Sequence, residues 1–165
     1  MAVQTTYNTE HAAAYAGMPA DGQLCNTVSR LNASGATIAY GLGVVTDTTV
    51  TTSDAATVPT GASTAAQFNG VVMREVNRAY ADGETFGALN ERDMTVINQG
   101  VVWVEVLDTV AKDAPVYLRV GATGNGKFSG VVGSGATLGV LIPDAKFVSG
   151  GEAGDLVKIS LGLGG

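Results

Sequence analysis

Val101-Val102-Trp103-Val104-Glu105-Val106-Leu107 decides the fold class, because β-branched and aromatic residues fill both alternating faces of the stretch. Side chains of this kind suit a pleated, packed surface better than a helix. Filled on both faces, the strand is expected to be covered on both sides. Trp103, among apolar neighbours, reads as the centre of the core; the other role open to it is an interface anchor. Further along, residues 115–120 set Val116, Leu118 and Val120 against Tyr117 and Arg119. Residues 155–161 set Val157, Ile159 and Leu161 against Lys158 and Ser160. Both show the period of two that marks a half-buried strand. Strands are also predicted over 37–46, 68–76, 94–97, 127–132 and 137–142. Asn69-Gly70, Asp82-Gly83 and Gly124-Asn125-Gly126 supply the turns between them. Residues 46–66, rich in Thr, Ala, Ser and Gly, read as a polar connection or a flat edge hairpin.

The reading is therefore all-β: a compact barrel-like or sandwich-like domain over 21–165, preceded by an extended arm over 1–20. A chain of 165 residues suits one core of ordinary size. In the arm, Thr9 would cap a short helix over 10–16 that Gly17 and Pro19 end. A helix so short needs something to lie against, so the arm's order is expected to depend on a neighbour. Tyr7, His11, Tyr15 and Met18 are its candidates for partner contact. A weak internal similarity pairs Gly61-Ala62-Ser63 and Phe68-Asn69-Gly70-Val71-Val72 with Gly121-Ala122-Thr123 and Phe128-Ser129-Gly130-Val131-Val132. Two related β-units and coincidence in a chain rich in Gly and Ala both explain it.

Composition excludes several classes. With 45% hydrophobic residues and a mean hydropathy of +0.22, the chain is not disordered throughout. Fifteen acidic residues against nine basic ones argue against a nucleic-acid partner, whose phosphates need clustered cations. No apolar run reaches the roughly 20 residues of a spanning helix. Met1-Ala2-Val3-Gln4 lacks the basic start of a secretory signal, so a soluble, unexported chain with no membrane partner is expected. Cys25 is the only cysteine, which leaves no intrachain disulfide or thiolate metal site, and it reads as a small apolar filler. No cofactor and no metal site are predicted.

Motifs that could carry catalysis fail on inspection. Gly121-Ala122-Thr123-Gly124-Asn125-Gly126-Lys127-Phe128 has the spacing of a phosphate loop up to its lysine, but Phe128 stands where Ser or Thr must hold Mg²⁺. A strand pattern follows it instead of a helix, so it reads as a hairpin turn. A Cys25 nucleophile would have only His11 as its base. Gly133-Ser134-Gly135 lacks the spacing of a nucleophile elbow. Glu75, Asp82, Glu84, Glu91 and Asp93 form one loose acidic group, and Asp144, Glu152 and Asp155 another. They read as solvated turns before they read as an acid pair. Asn32-Ala33-Ser34 fits a glycosylation sequon that carries no weight in an unexported chain. The expectation is a protein that is not an enzyme. Charged residues are only 15% of the chain, against roughly 25% in a typical soluble protein. A β surface with so little charge is poorly protected from association, which favours an oligomer or an assembly subunit.

A family resemblance runs patchily from about residue 15 to 161. Phe68-Asn69-Gly70-Val71-Val72, Tyr80-Ala81-Asp82-Gly83-Glu84, Gly100-Val101-Val102-Trp103-Val104-Glu105-Val106 and Val110-Ala111-Lys112-Asp113-Ala114-Pro115-Val116-Tyr117 carry it. Ala16-Gly17-Met18-Pro19-Ala20-Asp21 and Asp155-Leu156-Val157-Lys158-Ile159-Ser160-Leu161 extend it at the two ends. Together they resemble the structural cement, or head decoration, proteins of tailed bacteriophages. Lys112-Asp113-Ala114 departs from the pattern, where a Gly before the acidic residue is expected. The resemblance implies a β-rich protein on the outer surface of the virion, made in the host cytoplasm, that bridges capsomers of the expanded head against DNA pressure. It implies the major capsid protein lattice as partner and a homo-oligomer, a trimer being favoured over a dimer by analogy. The competing readings are a carbohydrate- or receptor-binding accessory β module of a virion and a small acid-pair hydrolase.

Overall fold

In the computed structural model, which describes residues 14–20, 22, 24–51, 54–75 and 86–162, eleven strands follow one another. They are β1 (Asn26–Asn32), β2 (Ile38–Ala39), β3 (Gly43–Thr46), β4 (Ala55–Thr57), β5 (Phe68–Val72), β6 (Gly87–Ala88), β7 (Asp93–Glu105), β8 (Pro115–Arg119), β9 (Phe128–Ser129), β10 (Gly139–Phe147) and β11 (Leu156–Leu161). Among the described residues the helical pieces are two 3-10 turns, Ala65–Gln67 and Gly135–Thr137. The chain is all-β, as its composition predicts.

β7 joins the stretches expected as separate strands over 94–97 and 101–107, and two closed rings are built on it. Its first half pairs with β1 and β5, completing the circuit β1-β4-β3-β5-β7. Its second half pairs with β11 and leads through β10 and β8 to β9. The parallel bridge between Val106 and Phe128 closes that second circuit. Closure removes sheet edges, which is how a chain with few surface charges avoids edge-to-edge pairing.

Each ring has its own core, and a bulge in β7 lets one strand serve both. Val28, Val44, Ala56, Val72, Met94 and Val96 meet inside the first ring, with Ile38 and Ala88 of the β2–β6 pair packed against them. Val102, Val104, Val116, Leu118, Phe128, Phe147, Val157 and Ile159 fill the second. Val45, Val71 and Ile97 point away from the first core and join the second. Along β7 the residues facing the second core are thus odd-numbered at Ile97 and even-numbered from Val102. Asn26 pairs with Gln99 while Thr27 pairs with Ile97, so β7 carries one extra residue there. Such a bulge reverses the inside-outside alternation of the strand beyond it.

Four expectations need correction. Trp103 is not the centre of the core: it lies half-buried on the outer face of β7, with the Lys158 ammonium 5.1 Å from its ring centroid. The inward side chains are its neighbours Val102 and Val104, both wholly buried. Arg119, expected outward, is 6% exposed, and its guanidinium bonds the Asp108 carboxylate at 3.1 Å. Only Phe128–Ser129 of the predicted 127–132 strand is strand, and Val131 and Val132 are exposed. Cys25 is exposed, at the junction leading into β1, and is no core filler. Two strands, β1 and β6, fall where none was expected; β4 pairs with β3, which makes part of 46–66 the hairpin that was one of its two readings.

Residues 14–20, the described end of the expected arm, are laid against the body of the same chain. Pro19 bridges Val102 on the edge of β7 that β11 leaves free, and the Ala20 amide donates to Val101 at 2.8 Å. Gly17 donates to Trp103 and accepts from Arg74. Its φ is +79°, and a Cβ there would lie 2.6 Å from the Val72 carbonyl oxygen and 2.8 Å from the Gly41 nitrogen. Glycine is required on both counts. The proposed helix over 10–16 lies mostly outside the described residues.

Two outcomes follow from this architecture. Phe128→Ala, at a wholly buried position beside the closing bridge, is expected to lower stability by about 3–5 kcal/mol in urea unfolding. A loss of about 1 kcal/mol or less would mean that the second ring does not depend on its closing strand. Gly17→Ala is expected to undock residues 14–20 locally. Hydrogen exchange should then show the Ala20, Arg74 and Trp103 amides losing protection while β8 and β10 keep theirs.

Candidate functional site

The phosphate-loop-like stretch forms the connection between the paired strands β8 and β9. Gly124 and Gly126 take positive φ, and the Lys127 amide donates to Gly124. The Lys127 ammonium is paired with the Glu105 carboxylate. With its lysine committed and a strand following, the stretch is the hairpin turn its sequence suggested. Asn32, first residue of the sequon, is wholly buried. Its amide donates to the Ala36 and Ala88 carbonyls at 2.9 Å, and its oxygen accepts from Ser34. It holds the loop after β1 to β6 and offers no acceptor nitrogen for a glycan.

Among the described residues, several of the acidic candidates are held by local partners. Glu75 accepts from the Thr95 hydroxyl and amide. Glu152 and Asp155 are tied within one turn, where the Glu152 amide donates to the Asp155 carboxylate at 2.8 Å. Glu91 and Asp144 sit at positive φ. Asp82 and Glu84 lie outside the described residues. A shallow groove of about 210 Å³ beside the β3–β4 hairpin is lined by Thr46, Thr49, Thr57, Thr60 and Ser63, with Asp47 as its one carboxylate. The Thr49 hydroxyl and amide both donate to Asp47 and hold its carboxyl below the usual carboxylate range. An ionised carboxylate alone cannot act as an acid–base pair. Among the described residues, no three His, Cys, Asp or Glu side chains are placed to hold a metal ion.

A second, part-buried polar cluster centres on Asp108. The Asp108 carboxylate accepts from Arg119, from the buried Ser129 hydroxyl and from the Gly130 amide. It ties the loop after β7 to β8 and β9. Arg119 keeps Nε and Nη1 buried without a hydrogen-bond partner, with the Gly133 backbone close above Nη1. Neither Asp108 nor this role of Arg119 is marked in the sequence, since both depend on which loops fold over β8.

What reaches the surface is an aromatic and cationic patch around residues 15–18. Tyr15 is 53% exposed and Met18 38%. The Arg74 guanidinium lies 4.3 Å from the Tyr15 ring centroid, and the Lys158 ammonium lies 5.1 Å from that of Trp103, whose backbone bonds to Gly17 and Met18. Of the four expected partner-contact residues, the structure thus brings Tyr15 and Met18 together; Tyr7 and His11 lie outside the described residues. Arg74 and Lys158 were not predicted as partner contacts, whereas Trp103, half-buried on the outer face of β7, has the exposure that its second reading as an interface anchor requires. The signal for Lys158 was its outward position on β11, but only the pairing of β11 with β7 sets it beside Trp103.

Comparison with known proteins agrees with the fold. Residues 3–162 match the family model described as structural cement protein (E217 gp24/Pam3 gp6). No curated protein matches the sequence. Among solved structures, a chain of "The capsid of Myoviridae Phage XM1" is 20% identical over 99% of both chains, with a TM-score of 0.73. At that identity the likeness speaks for the fold, and the two-ring architecture is accordingly shared by a chain in a phage capsid structure. The family match spans nearly the whole sequence and carries the assignment: this chain belongs to the structural cement protein family of bacteriophages.

Proposed function

We propose that the protein binds the outside of the expanded phage head, bridges neighbouring capsomers and stabilises the shell against the pressure of packaged DNA. The family match over residues 3–162 carries this reading. The lack of an acid pair in the groove and the low charge of the chain support it. The mechanism is linkage: a protein that binds the assembled lattice and not its separated subunits stabilises the lattice by RT ln(1 + [L]/Kd). That is about 2.7 kcal/mol per site at a hundredfold excess over Kd. Repeated over a whole shell, a modest term per copy makes rupture steeply less frequent.

In this reading the protein acts as a homo-oligomer, a trimer at three-fold positions, with the major capsid protein lattice as its partner. Tyr7, His11, Tyr15 and Met18 contact that lattice or a neighbouring copy. Exposed Tyr and Met beside Trp and Arg match the composition of interface centres, where a few such residues carry most of the binding free energy.

Purified protein should co-sediment saturably with expanded, undecorated capsids, and decorated shells should rupture at a higher temperature than bare ones. The copy number at saturation tests the trimer. Absence of binding to properly expanded shells rejects the cement role. Replacing Tyr15 and Met18 together by Ala is expected to weaken binding by roughly tenfold or more while leaving the unfolding midpoint nearly unchanged. Unchanged binding would remove these residues from the contact.

A further inference from the structure

We propose that the groove beside the β3–β4 hairpin is a binding site for one sugar ring of a neutral glycan. This goes beyond the capsid role and does not depend on it.

The first ground is that the groove is braced before any ligand arrives. Val45 of β3 and its ladder partner Thr57 of β4 both line it. In the turn after β3, the Thr49 hydroxyl and amide donate to the Asp47 carboxylate. In the loop after β4, the Thr60 amide donates to the Ser63 hydroxyl at 2.9 Å, and the Ser63 amide to the Thr60 carbonyl at 2.8 Å. The Asn125 side chain donates to the Pro59 carbonyl and fastens that loop to the turn between β8 and β9. The Gln67 side-chain oxygen accepts from the Thr64 amide at 2.8 Å, which orients its nitrogen. Walls held in this way lose little freedom when a ligand binds.

The second ground is unused hydrogen-bonding capacity. Among the described residues, no hydrogen bond engages the hydroxyls of Thr48, Thr57 and Thr60 or the side-chain nitrogen of Gln67, and all four residues line the groove. A hydroxyl both donates and accepts, and an amide nitrogen donates twice. With the Asp47 carboxylate they form the mixed set of donors and acceptors that a ring of hydroxyls can satisfy.

The third ground is charge and size. Among the described residues, no Lys, Arg or His lines the groove, and Asp47, whose carboxyl the Thr49 hydrogen bonds hold below its usual range, is ionised at neutral pH. Phosphate, sulfate and carboxylate ligands are therefore repelled. A calcium ion needs six or more oxygens, several of them charged, and Asp47 is the one carboxylate present. An uncharged ligand rich in hydroxyls fits instead, since hydroxyls that donate to a carboxylate make the stronger, charge-assisted kind of bond. Val58 and Ala62 supply apolar surface for the C–H side of the ring. The volume of about 210 Å³ lies below the roughly 300–1,000 Å³ of sites for drug-sized ligands, which matches a single ring.

The test is two-dimensional NMR of the isotope-labelled full chain, titrated separately with glucose, galactose, mannose and N-acetylglucosamine, with inorganic phosphate as the charged control. At least one sugar is expected to shift the amides of residues 46–49, 57, 58 and 60–63 saturably, with a millimolar Kd, while those of β10 and β11 stay in place and phosphate moves neither set. Asp47→Asn keeps an acceptor for Thr49 and removes the charge, and is expected to weaken binding about tenfold. Thr57→Val removes one hydroxyl at nearly constant shape, and about threefold weaker binding or more is expected. Thermal unfolding checks both variants, and Thr60→Val, in the exposed loop, replaces either one that does not fold. No saturable shift of the groove amides with any of the four sugars overturns the inference, as does a shift that both variants leave unchanged. Phosphate moving the same amides as strongly as the sugars overturns it too. Every arm uses the isolated chain, so failure here leaves the capsid reading to its own sedimentation test.

Discussion

The constraint on which the rest depends is that one strand, β7, must satisfy two cores. A strand presents alternate residues to opposite faces, and a slip of one residue exchanges them all. β7 gives Met94 and Val96 to the first ring and Val102 and Val104 to the second, while Ile97 crosses from one ring toward the other. The extra residue opposite Asn26 reconciles these demands by changing the phase of the strand midway. Just beyond it stands Gly100 at φ +127°, where a Cβ would lie 2.7 Å from that of Cys25. The chain passing from the arm into β1 crosses close over the bulge, so the joint between the rings and the seat of the arm are one feature. Cys25 is thereby fixed at the surface of that crossing, which explains why a cysteine free of any pair is not in the core.

The sequence shows clearly what a period of two can show. β8 and β11 alternate in sequence, and their expected inward residues Val116, Leu118, Val157 and Ile159 are buried, although Ser160, expected outward, is only 3% exposed. β1, Asn-Thr-Val-Ser-Arg-Leu-Asn, was illegible because only its last residue is fully buried and no face of it is consistently apolar. Its place is set by the long-range ladder to β7, a relation between distant parts of the chain. The same limit explains Trp103. Valines on both sides made a core position the natural expectation, but the phase of β7 is decided at the bulge, and the large ring fell on the outward face. Arg119 misled for the converse reason: its strand position is outward, yet the Asp108 loop and the Gly133 backbone close over it.

The candidate site was half legible, and the division is physical. Tyr15 and Met18 stood out as sparse large side chains in an Ala-rich stretch, and they are exposed. Their companions come from other strands, Arg74 beyond the end of β5, Trp103 in β7 and Lys158 in β11, and no spacing rule links them. A catalytic or phosphate-binding motif leaves a local signature because its chemistry fixes neighbouring residues relative to one another. Residues drawn from separate parts of the chain leave none. The family model instead registers the whole pattern of Gly, Val and turn residues along the chain, and these specify the scaffold beneath the surface.

That scaffold has a direct bearing on how a small protein holds a large partner. Association costs translational, rotational and side-chain freedom, and only the surplus appears as affinity. A terminal segment that became ordered only on docking would add its own backbone entropy to that cost, of order 1–2 kcal/mol per residue. Residues 14–20 are already ordered on their own chain: Ala14 and Ala20 are buried, and Gly17 is held between Gly41, Val72 and Arg74 with no room for a side chain. The close glycine contact thus fixes the backbone that carries Tyr15 and Met18. In the proposed capsid role, what is left for binding is removal of water from a prepared face, so that even a small area per copy adds up over one lattice.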